Sequence, residues 1–158
     1  MTPKGPKLSP EANTVILMAV SICFFGILLL LLKPAAEMIH RALLVGLILT
    51  MTNFLLAVIA LKLKLWTVRG AWPVFGYPLS MIAAWLFLIA TYCLVLSQLH
   101  SWGARFLVAA LAGMGGPLWD LTIHRRAAIL VLDRAKPWQP MIYWLVLSLL
   151  GMILFFSI

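Results

Sequence analysis

Two ionisable side chains at the end of an apolar segment have the spacing that acid-base chemistry needs. Asp120 and His124 are four residues apart, so on a helix they would share one face and lie within contact distance. A carboxylate that holds an imidazole can orient it for general acid or base catalysis, or carry a proton. The alternative is structural, with Asp120 paired to Arg125 or Arg126. We expect the structural role, because the basic connector begins directly after His124.

A run rich in glycine and proline precedes this pair. Residues 113–117 read Gly-Met-Gly-Gly-Pro, and Pro117 cannot donate a hydrogen bond to the helix ladder. The run therefore predicts a kink or a break in the helix that contains it. Irregular backbone in an apolar surrounding lines a cavity or is shielded by neighbouring helices. If there is a cavity, leucine at both Gly115 and Gly116 should abolish binding of its ligand.

Three tryptophans lie deep within apolar segments, namely Trp85, Trp119 and Trp144. Each buried indole N–H needs a partner, so these side chains either line a cavity or pack between helices, and packing is the simpler prediction. With Asn53 and Pro117 they are the candidate residues of a ligand cavity. If the ligand were a polyene or isoprenoid, a carboxylic acid could protonate a double bond and the indole faces could stabilise the cation.

The sequence contains no motif of metal or nucleotide chemistry. It has no HExxH motif, no Cys/His cluster with ligand spacing, no glycine-rich phosphate loop and no nucleophile elbow. His40 and His100 are predicted at the opposite end of the helices from His124, so the three histidines cannot share a metal. Cys23 and Cys93 both lie in apolar runs, where cysteine behaves as a small hydrophobe. We therefore expect no cofactor, no metal and no disulfide.

The elements that must position these residues follow from composition. Of the 158 residues 65% are hydrophobic and 10% charged, with a mean hydropathy of +1.10, whereas a soluble domain has about 25% charged residues. This excludes soluble and disordered classes. Backbone groups in lipid must be paired within a helix, and the alternation of a barrel strand is missing. The sequence predicts a single all-α domain over residues 1–158, a polytopic membrane bundle of five helices at 14–32, 42–61, 79–98, 105–123 and 141–158.

Basic residues are divided unequally between the two ends of such a bundle. Nine lie at the end that holds the N-terminus and the second and fourth connectors, and three lie at the other. Because positive connectors stay inside, we expect the N-terminus in the cytoplasm, an uncleaved first helix, and a C-terminus on the far side of the plasma (inner) membrane. The nine are Lys4, Lys7, Lys62, Lys64, Arg69, Arg125, Arg126, Arg134 and Lys136.

Other features fit this layout. Trp66, Trp72 and Trp138 are predicted at the cytoplasmic interface and Trp102 at the opposite one, where amphipathic rings are enriched. Residues 127–132 form an apolar run too short to span, so an interfacial segment is predicted there. The basic residues are scattered between apolar runs, which disfavours nucleic acid as a partner. The expected partners are membrane lipids, and further membrane subunits or a hydrophobic ligand.

Two sets of residues resemble known membrane families. Asp120, Trp138 and Pro140 resemble a pattern of the multi-span carotenoid-biosynthesis family that includes acyclic-carotenoid hydratases. An earlier copy of that pattern would be Trp66, Phe75-Gly76-Tyr77-Pro78 and Trp85. The resemblance implies a membrane helix bundle and a polyene substrate, although Asn53 stands where the first copy would be acidic. Residues 115–118, Gly-Gly-Pro-Leu, are similar to a run in a small bacterial membrane family of unknown function.

Three functions remain open, in order of preference. The first is a non-catalytic accessory subunit or a lipid- or isoprenoid-binding helper, favoured by four acidic residues and no strong motif. The second is a membrane enzyme with lyase or isomerase chemistry on a polyene or isoprenoid, in which Asp120 is the acid. The third is a small transporter in which the break near Pro117 forms a discontinuous helix.

Overall fold

The computed structural model describes residues 8–119, 129–132, 134 and 138–158, and most of these are helical. The helices are α1 (Pro10–Leu32), α2 (Ala36–Lys62), α3 (Leu79–Ser97), α4 (Trp102–Trp119) and α5 (Trp138–Ser157). Four short strands lie in the connectors: β1 (Trp66–Val68), β2 (Pro73–Val74), β3 (Tyr77–Pro78) and β4 (Leu130–Leu132). The prediction of a mostly helical chain is confirmed, and the prediction that it is all-α overlooked the strands.

Capping serines start α1 and α4 before the predicted apolar runs. The Ala12 backbone N–H donates to Ser9 Oγ at 3.2 Å, with Pro10 in the first turn, so α1 begins four residues before the predicted span. At α4, the Ala104 N–H donates to Ser101 Oγ at 3.1 Å. Lys33, at φ 45°, ends α1 in the left-handed conformation. Hydropathy marks the apolar length of a helix, whereas caps decide where its hydrogen bonding starts and stops.

Three helices within the described residues are long and apolar enough to cross a membrane, namely α1, α2 and α3. A shorter apolar stretch, Ile142–Ser157, belongs to α5. α1 is apolar on the outside: Val20 and Leu30 are 58% and 76% exposed, while Thr14 and Ser21 are buried. Lipid tolerates such exposed aliphatic side chains, and small polar residues are common where membrane helices meet.

Close contacts at glycines and aromatic rings hold the helices together. α1 packs on α3, where the ring centroids of Phe25 and Phe87 are 5.5 Å apart. α2 also packs on α3, so closely that a Cβ on Gly46 would lie 2.8 Å from the carbonyl oxygen of Leu86. α4 packs on α5, which in turn contacts α2 and α3. α3 and α5 therefore form the centre of the bundle.

The second and fourth connectors meet at one end of the bundle. β1 pairs with β4 in antiparallel register, from Trp66 opposite Leu132 to Val68 opposite Leu130. The Ala71 N–H donates to Thr14 Oγ1 at 3.0 Å, which brings the start of α1 to the same end. The interfacial segment predicted at residues 127–132 is thus a paired strand over 130–132. Residues 127 and 128 lie outside the described residues.

Candidate apolar ligand cavity

A cavity of about 480 Å³ lies between α1 and α4, within the roughly 300–1,000 Å³ range of small-molecule pockets. Leu17 and Phe24 of α1 line one side, and Ala112 and Gly115 of α4 line the other. Residues of α3 and α5 form its floor, and Leu49 is the lining residue from α2. We call this space the lateral cavity, because side chains at its α1 and α4 edges are exposed on the outer surface.

Aromatic rings supply much of the wall of the lateral cavity. Trp85 of α3 and Trp144 of α5 stand side by side, with ring centroids 4.5 Å apart and an interplanar angle of 51°. Both side chains are buried. Phe24 and Tyr92 add two further rings. Flat, polarisable faces of this kind give a large dispersion contact to an unsaturated or aliphatic chain.

The hydroxyl groups in the wall already donate hydrogen bonds within the protein. Tyr92 Oη donates to the carbonyl oxygen of Ser148 at 2.9 Å, and Ser148 Oγ donates to that of Leu145 at 3.0 Å. Ser21 Oγ donates to the carbonyl oxygen of Leu17 at 2.7 Å. The lining residues named for this cavity include no charged side chain. A ligand inside it would be held by apolar contact.

Two adjacent glycines on α4 play different parts. A Cβ on Gly116 would lie 2.5 Å from Cδ2 of Trp144, so the indole ring packs directly on the backbone of Gly116. A Cβ on Gly115 would meet no atom within 4 Å, so Gly115 borders open space. Pro117 is fully buried, and α4 stays helical through it to Trp119. The predicted break at Pro117 is therefore not present in the backbone up to Trp119.

Part of the predicted site lies within the described residues. Trp85 and Trp144 line the lateral cavity and also pack on each other, and their role in binding a ligand stays a prediction. Asn53 and Pro117 are not among its lining residues; Asn53 Oδ1 accepts a hydrogen bond from the Tyr143 hydroxyl, which joins α2 to α5. The predicted acid-base pair, Asp120 and His124, lies outside the described residues, as does the Trp119 side chain.

Tyr92 and the α1 residues line the lateral cavity but were not among the site residues predicted from the sequence. Tyr92 carries a polar tip inside the apolar segment of α3, and a buried tyrosine hydroxyl needs a partner, so its interhelical bond to Ser148 had a detectable signal. Leu17 and Phe24 had no such signal in the sequence. Leucine, isoleucine, valine and phenylalanine lie on all sides of α1, so their pattern does not show which of them face a cavity.

The end of the bundle opposite the connectors carries a cation on aromatic rings. The Arg105 guanidinium lies 4.0 Å from the ring centroid of Phe156 and 4.9 Å from that of Trp102. Arg105 Nε also donates to the carbonyl oxygen of Leu99 at 2.9 Å. These contacts fix the start of α4 against the end of α5. Among the described residues, no three His, Cys, Asp or Glu side chains are close enough to bind one metal ion.

The chain matches no known protein-family model, and no curated protein or solved structure is significantly similar to it. The resemblance to the carotenoid-biosynthesis family therefore stays a prediction.

Proposed function

We propose that this chain is a multi-pass membrane protein that holds a lipid acyl chain or an isoprenoid chain in the lateral cavity. In this proposal it serves as a non-catalytic helper or accessory subunit of a membrane system. The observation that carries the proposal is the wall itself: apolar side chains and four aromatic rings surround the space, and its hydroxyls bond to backbone carbonyls.

The position of the lateral cavity suits a ligand that arrives from the bilayer. Its α1 edge includes Val20 and Phe24, whose side chains are exposed on the lipid-facing side of a candidate spanning helix. A hydrophobic chain could enter between α1 and α4 without passing through water. A transporter for polar solutes would need polar groups along its path, and the named lining residues offer none that is not already hydrogen-bonded within the protein.

Energy transfer from tryptophan to a polyene probe tests the proposal. Parinaric acid, a fluorescent fatty acid with four conjugated double bonds, would lie against Trp85 and Trp144 when bound. Titration of the detergent-solubilised protein should give saturable energy transfer above the level from partition into micelles. A saturated fatty acid or an unlabelled isoprenoid alcohol should compete. Transfer that rises linearly and resists competition would contradict a defined site.

We also propose that all five helices cross the membrane, with the connector end in the cytoplasm. Support comes from the contacts that bring the start of α1 and both long connectors together, and from the exposed Lys62, Lys64, Arg69 and Arg134 at that end. Reporter fusions after residue 38, after residue 102 and at the C-terminus should then all report the non-cytoplasmic side. A cytoplasmic C-terminus would show that one helix does not cross.

A further inference from the structure

The hairpin between α2 and α3 exposes three large apolar side chains. Strands β2 and β3 pair through Val74 and Tyr77, and Phe75 and Gly76 form the two-residue turn between them. Phe75 is 79% exposed, Trp72 56% and Val74 39%. In the paired strand, Tyr77 and Pro78 are buried. Strand β3 therefore packs on the bundle, while strand β2 and the turn of this 73–78 hairpin, with the preceding Trp72, present an apolar edge.

The two exposed aromatic residues, Trp72 and Phe75, both have a left-handed backbone conformation. Phe75 and Gly76 have φ values of 49° and 80°, the positive pair that a type I′ turn requires, and Trp72 has φ 56°. Glycine or asparagine takes this conformation at little cost, whereas a bulky side chain is strained in it. The turn itself does not need an aromatic residue at position 75. We therefore look for a contact outside the hairpin that stabilises the ring at this position.

Contacts with α2 give the level of the hairpin along the bundle. A Cβ on Gly76 would lie 2.6 Å from Leu61 Cδ2, so the turn is beside the last turn of α2. The exposed Phe75 ring lies beside Phe54 of α2, with the two ring centroids 6.5 Å apart. Phe54 precedes Lys62 by eight residues, about 12 Å along a helix. The tip thus reaches past the charged end of α2 to the level of its apolar segment.

The surroundings of the hairpin identify what covers it. Leu55 and Ile59, at the same level of α2, are exposed aliphatic side chains on a helix apolar enough to span. The exposed Lys62 and Lys64 lie where α2 ends, at the height where phosphate groups of a surrounding leaflet would be. Aromatic rings below a layer of basic side chains suit the boundary between headgroups and acyl chains.

We propose that the 73–78 hairpin is a membrane-inserted wedge. Trp72, Val74 and Phe75 lie among the lipids of the leaflet around the last turns of α2, and the occupant of the apolar edge is bilayer lipid. The wedge anchors the α2–α3 connector at a fixed depth. It is independent of the lateral cavity, which α2 borders only through Leu49.

Photo-cross-linking from the tip tests the wedge and its occupant. The variant Phe75→p-benzoylphenylalanine keeps an aromatic ring at an exposed position, so the fold should be retained. The matched control is Arg134→p-benzoylphenylalanine, an exposed position in the other connector. The full chain would be reconstituted in phosphatidylcholine and phosphatidylglycerol vesicles, irradiated, digested and examined by mass spectrometry.

We expect lipid adducts on the peptide that contains position 75, at a yield several-fold above that at position 134. A cross-link from position 75 to a second polypeptide would overturn the proposal, because the apolar edge would then be a protein interface. A lipid yield at position 75 no higher than at position 134 would overturn it as well, because the tip would then lie no deeper in the bilayer than the basic end of the bundle.

Discussion

Gly115→Leu should abolish or strongly weaken saturable parinaric acid binding while leaving the protein folded. Gly115 lines the lateral cavity, and a Cβ there meets no atom within 4 Å, so a leucine side chain would occupy the ligand's space. Forcing extra atoms into a filled apolar site costs about 1–3 kcal/mol. Since about 1.4 kcal/mol is tenfold in affinity, we expect Kd to rise by about tenfold to hundredfold. The measurement is the titration by energy transfer from tryptophan.

The matched control is Gly103→Leu, the same change on the same helix. A Cβ on Gly103 also meets nothing within 4 Å, but Gly103 is exposed in the first turn of α4 and does not line the cavity. Its Kd should equal that of the unmodified protein. Gly116→Leu is unsuitable, because its Cβ would collide with Trp144. Unchanged binding in a folded Gly115→Leu protein would place the ligand elsewhere.

Composition predicted the helical class, and the observed helices agree with the predicted segments better in position than in their exact bounds. All five predicted segments are helical over most of their described length, because apolar runs of about 20 residues satisfy their backbone within a helix. The first two begin at Pro10 and Ala36 rather than at 14 and 42, because polar residues continue a helix outside the apolar run. The Arg41–Glu37 ion pair, at 2.9 Å, lies in such an extension.

The strands could not be predicted from the same evidence. β1 and β4 have three residues each, too few for a period-2 pattern, and they pair across 66 positions of sequence from Trp66 to Leu132. Their pairing depends on α2, α4 and α5 bringing the two connectors together. Once both connectors lie at one end, their unpaired backbone groups gain by bonding to each other.

The sequence identified two aromatic residues of the candidate site, but it did not show how the helices bring them together. Trp85 and Trp144 were identifiable because indoles deep in apolar segments are unusual. Their contact depends on the register of α3 against α5, and no short-range sequence pattern reports such a register. The Trp144 ring also needs the absence of a side chain at Gly116 of α4. Asn53 was identifiable as a buried polar group, but its bond to Tyr143 joins helices 90 residues apart in sequence.

Gly113→Ala should lower the melting temperature in detergent, because at Gly113 the backbone of α4 lies directly against the backbone of α5. Its Cβ would lie 2.8 Å from Leu145 Cα and 2.8 Å from Ser148 Oγ. Since a Cα atom cannot rotate away, the two helices would have to separate. Overpacking of this kind costs about 1–3 kcal/mol, and small residues are what allow membrane helices to lie so close. Melting followed by circular dichroism measures the loss.

Gly103→Ala on the same helix isolates the effect of the contact. Alanine favours a helix by about 1 kcal/mol over glycine, and a Cβ on Gly103 meets no neighbour, so this variant should melt at the same temperature as the unmodified protein or higher. The opposite signs distinguish packing from propensity. A Gly113→Ala protein as stable as Gly103→Ala would show that α4 and α5 are further apart than the structure has them. If α4 and α5 do separate in Gly113→Ala, Gly116 must also move away from Trp144, which lines the lateral cavity. Parinaric acid should then bind more weakly to Gly113→Ala than to Gly103→Ala.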